Sequence, residues 1–194
     1  MTVAEFWGCG LLAFGPPAAL YIVAIAHDPI RVILMMASCF FWLLALLLSG
    51  LIWFAVVPLR EQLVFGMFVS ILIQELFRVL LFLLLKKAER GLTQVAEGSA
   101  VLASTHRHAR SFVCGFGFGL MSGAFALVNI LRDMSGPGTV GILGDPPSFF
   151  LTSSAQTLCM ILLHVAWGMI AFDGLEERRW MLPLGVLAAH LIVS

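Results

Sequence analysis

Residues 32–57 read VILMMASCFFWLLALLLSGLIWFAVV, a run without a single charged side chain. About 20 apolar residues are enough for a helix to cross the hydrocarbon core of a bilayer. Comparable stretches occupy residues 6–26, 63–85, 111–131 and 149–172, and a sixth opens at Trp180. They are continuous and lack the two-residue alternation of a membrane β-barrel. Inside lipid, only helices and closed barrels satisfy their own backbone groups. The expected fold is therefore all-α: one polytopic transmembrane bundle with helices at about 6–26, 32–57, 63–85, 111–131, 149–172 and 180–194. Composition agrees, since only 11% of the chain is charged, against about a quarter in soluble domains. The sixth run has only 15 residues up to Ser194, so the chain is expected to be a truncated or short form.

The loops predict an orientation. Of the 11 Lys and Arg residues, Arg31, Lys86, Lys87, Arg90, Arg107, Arg110, Arg178 and Arg179 fall on one side, and only Arg60 and Arg132 on the other. The positive-inside rule puts the first group in the cytosol and the N-terminus in the lumen. The polar stretch 88–110 is then a cytosolic loop, and the Gly- and Pro-rich 132–148 a lumenal one. MTVAEFWGCG has no basic residue ahead of its apolar run, so it reads as a first spanning helix and not as a cleaved leader. Trp7, Trp53 and Trp180 near helix ends fit an interfacial belt. Pro16-Pro17 should kink the first helix. The formal net charge of zero gives no basic excess for nucleic acid, and the four cysteines have no CxxC spacing, so buried thiols are expected.

Ionisable groups at membrane depth are costly and mark candidate sites. Here they are Glu75, Arg78, His164 and His190. At 1.5 Å of rise per residue they lie roughly 10–15 Å from the cytosolic ends of their helices, which puts them in one layer. Glu75 and Arg78, three apart, suit an ion pair on one helix face. The histidines sit at matched depth on neighbouring helices and can hydrogen-bond each other or a backbone, bind a metal, or relay protons. Structural polar contacts between helices are the favoured reading. The alternatives are a metal- or glutamate-dependent intramembrane hydrolase using Glu75, His164 and His190, or a proton or ion pathway through the same layer.

Familiar catalytic signatures do not fit. GILGD (141–145) has Ile142 where a GxGD motif needs glycine, and no expected span holds an aspartate to complete a carboxylate pair. HExxH is absent, and Ser122 lies in GLMSG, outside a GxSxG pattern. Glu176-Glu177 beside Arg178-Arg179 reads as a solvated interfacial cluster. No catalytic residue, metal or cofactor is expected. What stands out is GFGFGLMSG (115–123). Positions four apart drift only 40° around a helix, so Gly115, Gly119 and Gly123 share one face, extended by Ser122. Such a small-residue face lets another helix approach closely, in this chain or in a partner. Gly117 falls on the far side and is left without a role.

The ordered set FGPPAAL, DPIRVI, FFWLLALLLS, QELFR, LLKKAERGL, GFGFGLMSGAFALVNIL, GDPPSFFLTSS and LLHVAWG resembles the anterior pharynx-defective family, a subunit of gamma-secretase. The resemblance runs from the first helix to the last residue. It implies a seven-helix fold with a lumenal N-terminus and a non-catalytic scaffold that joins presenilin, nicastrin and the presenilin enhancer subunit. It also implies a place in processing Notch and amyloid precursor protein, in the endoplasmic reticulum, Golgi and plasma membrane. The family's glycine groove corresponds to Gly115, Gly119 and Gly123 and implies a role in assembly. Its two intramembrane histidines correspond to His164 and His190 and imply support for complex maturation. Two departures stand out: VVPLREQLVFG is shorter than the family's usual loop, and the seventh helix is missing.

Overall fold

The apolar runs become helices in the computed structural model, which describes residues 3–59, 61–95, 107–135 and 148–194. These are α1 (Val3–Ala24), α2 (Pro29–Ala55), α3 (Leu63–Val95), α4 (Arg107–Ser135), α5 (Phe149–Glu176) and α6 (Met181–Val193), with a 3-10 turn at Val57–Leu59. There is no strand among the described residues. Helices α1 to α5 are long and apolar enough to cross a membrane, and α6 has 13 residues.

The helices differ from expectation mainly at their ends. α3 continues ten residues past Leu85, because KKAERGLTQV is polar yet rich in good helix formers. α4 likewise begins at Arg107, so the expected loop at 88–110 is helical at both of its described ends. Its remaining residues, and 136–147 of the expected second loop, lie outside the described residues. α2 starts at Pro29, earlier than residue 32: proline needs no N–H partner at a first helical position, and the Asp28 carboxylate accepts from Ile30 N at 3.0 Å as N-cap. Arg31 adds a bond from Nη1 to the Ala24 carbonyl at 2.7 Å, closing the α1–α2 turn. α1 runs as one helix through Pro16-Pro17.

α5 ends later than residue 172, in a turn built by Arg178. Arg179 N donates to the Gly174 carbonyl at 2.7 Å and Arg178 N to the Leu175 carbonyl at 3.4 Å, with Arg178 at φ 57°. This is a Schellman closure in which arginine takes the left-handed position usually held by glycine. Gly174 lies against Leu182 and Pro183, which lets α6 fold back onto α5.

α4 is the most enclosed helix, set among α2, α1 and α5, and α3 completes the bundle against α2, α5 and α6. Trp42, Leu81, Phe82, Phe116, Phe118 and Phe172 form the main core between α2, α3, α4 and α5. Outside, Phe40, Leu47, Phe54, Leu76 and Leu83 are exposed, the inverse of a soluble protein and suited to lipid. At the basic end, ion pairs tie the helices together. Arg110 reaches Glu89 at 3.1 Å, Arg107 reaches Asp173 at 2.6 Å, and Lys86 bonds Glu176. The expected solvated cluster at 176–179 is thus corrected: Glu176 is held by Lys86 and Arg110 from two other helices.

Candidate functional site

The glycines of α4 meet α5. A Cβ on Gly115 would stand 2.8 Å from the Val165 carbonyl oxygen and 3.0 Å from that of His164. On Gly119 it would stand 2.5 Å from the Ile161 carbonyl, and on Gly123 2.6 Å from the Ile161 side chain. Gly168 of α5 answers from the other side, its own missing Cβ falling 2.5 Å from Gly115 Cα. No side chain fits between these backbones. The groove is therefore filled by α5 of the same chain, which decides between the two partners the sequence left open. Ser122, beside this face, is half-buried. Gly117, left without a role, faces α2: a Cβ there would come within 2.7 Å of the Met35 carbonyl. Around it, Ser38 Oγ donates to the Cys114 carbonyl and Cys39 Sγ to that of Gly117 at 3.5 Å. α4 thus carries glycine on two opposite faces, one for each neighbour.

Directly behind the α5 contact lies the polar layer. Arg78, only 2% exposed, pairs through Nε with Glu75 Oε2 at 3.1 Å, one turn back on α3. Its Nη1 donates to the His164 carbonyl at 3.3 Å and its Nη2 to His164 Nδ1 at 3.1 Å. A guanidinium only donates, so Nδ1 accepts and the imidazole proton sits on Nε2. The Arg78 Cζ also rests 5.1 Å from the centre of the Phe118 ring on α4. From α6, His190 Nδ1 donates to Glu75 Oε1 at 2.9 Å. The two imidazoles then meet edge to face, 5.1 Å apart at 88°, with Trp167 at 4.4 Å from His190. Glu75, Arg78, His164 and His190 close a ring across α3, α5 and α6. His164 Nε2 stands among the rings of Trp167 and His190 without a hydrogen-bond partner among the described residues.

Groove and ring are one unit. His164 supplies Gly115 and Gly119 with backbone and Cβ contacts, and the same residue gives Arg78 two acceptors. Several members had no ionisable group to announce them. Gly168 and Phe118 are in this class, as is Gln74, whose Oε1 accepts from Trp42 Nε1 at 3.2 Å and ties α2 to α3. The doublet Gln74-Glu75 was the available signal for that link. Among the described residues, no group of three or more His, Cys, Asp or Glu stands close enough to share a metal ion.

The chain matches the family model described as Aph-1 protein over residues 4–194. The chain belongs to the Aph-1 family. It is 47% identical to the gamma-secretase subunit Aph-1 of Drosophila melanogaster, covering all of this chain and 80% of the relative. It is equally 47% identical to human gamma-secretase subunit APH-1B, covering all of this chain and 78% of that protein. A more distant relative, the gamma-secretase subunit aph-1 of Caenorhabditis elegans, is 35% identical over 96% of this chain and 68% of its own length. In this Aph-1 chain, then, the glycine contact and the polar ring hold four of the six described helices in fixed register.

Proposed function

We propose that this chain is a non-catalytic assembly subunit of a gamma-secretase complex, lumenal at its N-terminus, that binds presenilin, nicastrin and the presenilin enhancer subunit. Its work is to hold presenilin and nicastrin for processing of type I membrane proteins such as Notch and amyloid precursor protein. It does so as a multi-pass protein of the endoplasmic reticulum, Golgi and plasma membrane. The observation that carries the non-catalytic reading is the closed ring. The Glu75 carboxylate and both imidazole Nδ1 atoms are spent on one another and on Arg78, so the carboxylate and one nitrogen of each imidazole are committed to structure. A rigid bundle with a fixed interior is what a scaffold needs, because partners can then dock on its outer faces without reordering it.

Co-purification from detergent-solubilised membranes tests this. The wild-type chain should retain presenilin and nicastrin, and Gly119→Leu, which forces α4 from α5, should lose both. A wild-type chain that retains neither would defeat the assembly reading. Hydrolysis by the purified chain alone, abolished by Glu75→Gln, would defeat the non-catalytic one.

A further inference from the structure

A groove descends between α3 and α6 from the basic end of the bundle. Its outer part is a cavity of about 530 Å³ whose lining includes Lys86, Arg90 and Arg178 with Glu176. Its inner part, about 270 Å³, runs over Leu72, Leu76 and Leu184 and reaches Glu75 and Arg78. Val79 and Trp180 line both parts, so the two adjoin. Lys86 is shared by Glu176 and Glu89, and with Arg90 and Arg178 beside it the cations outnumber the carboxylates at the mouth. Trp180, 63% exposed, stands there as an interfacial residue would. From Lys86 to Glu75 the helix rises roughly 16 Å, half of a hydrocarbon core of about 30 Å. The groove therefore has the depth of one leaflet. Basic pockets between transmembrane helices are suited to anionic headgroups, and the tract below this one is apolar.

We propose that this groove binds one anionic phospholipid. Its phosphate sits among Lys86, Arg90 and Arg178, and one acyl chain follows Val79 and Leu76 toward Leu72. The acyl chain lies along the inner cavity, whose wall includes the buried Glu75–Arg78 pair. A partner helix is the poorer fit, since it would need a groove running through both leaflets.

Native mass spectrometry of the full chain, purified in mild detergent with added dioleoylphosphatidylglycerol or dioleoylphosphatidylcholine, tests this. One phosphatidylglycerol per chain should be retained, at least about tenfold better than phosphatidylcholine. Arg90→Gln and Arg178→Gly should each weaken retention by about fivefold. Both spare the Lys86–Glu176 tie, and glycine suits the φ of 57° at residue 178. A photoreactive benzophenone residue replacing Leu184 should cross-link to phospholipid. Equal retention of the two lipids, unchanged in both variants, would overturn the proposal. So would a cross-link from position 184 to polypeptide alone, which would mean that a second copy or a partner helix covers the groove.

Discussion

The α4–α5 contact and the α3–α6 contact solve one problem in opposite ways. Lipid is as apolar as leucine, so no hydrophobic force drives two helices together within it. Across α4 and α5 the backbones themselves touch, at Gly115, Gly119 and Gly168, and dispersion over a close-fitting surface holds the pair. Across α3 and α6 the bridge is a side-chain bond, Glu75 to His190, with an open groove beside it. Gly185 on α6 has no heavy atom within 4 Å of a would-be Cβ among the described residues. The first contact cannot accept volume, and the second cannot accept an unpaired charge.

Four substitutions sharpen that division. The largest effect is expected from Arg78→Met, which leaves Glu75 buried with His190 as its sole remaining polar partner in the ring. Breaking a buried pair from one side costs about 3–5 kcal/mol, and adding Glu75→Leu should recover much of it, read as unfolding free energy in bicelles. Next is Gly119→Ala. Its methyl meets a backbone carbonyl that no rotamer change can move, so about 1–3 kcal/mol of overpacking is expected, read in the same way. Arg178→Gly should act in the opposite direction, relieving a left-handed arginine and raising thermal stability by about 1 kcal/mol. The smallest is Gly8→Ala on α1. Among the described residues nothing lies within 4 Å of its added methyl, so no loss is expected, and helix propensity gives a gain of under about 1 kcal/mol in melting experiments.

Much of this was legible in the sequence, and what was not has physical reasons. Long uncharged runs determine helices in lipid, so the six helices were readable, and Glu75, Arg78, His164 and His190 stood out by their cost. Helix ends were not readable where KKAERG leaves the apolar layer, because hydropathy falls there while helix propensity does not. The end of α5 was hidden because arginine occupies the place where glycine gives the usual stop signal. The glycine face was visible as a face, but a small-residue stripe does not name its partner. That took the backbone of α5, where Gly168 meets the groove beside the larger Ile161, His164 and Val165. Gly117 lies outside that four-residue period because its face belongs to α2.

The central claim is that the Gly115–Gly119–Gly123 face is filled from within, by α5. A double-mutant cycle on Gly123→Ala and Ile161→Ala, read as unfolding free energy, tests it most directly. At Gly123 the obstacle is the Ile161 side chain, with Cδ1 and Cγ1 both 2.6 Å from the added Cβ. Trimming it should make room for the methyl, and the coupling should be favourable by at least about 0.5 kcal/mol. At Gly119 the obstacle is the Ile161 carbonyl, so the same trim should bring no rescue. Additive losses at Gly123, with Ile161→Ala giving no relief, would contradict the claim and return the groove to a partner outside the chain.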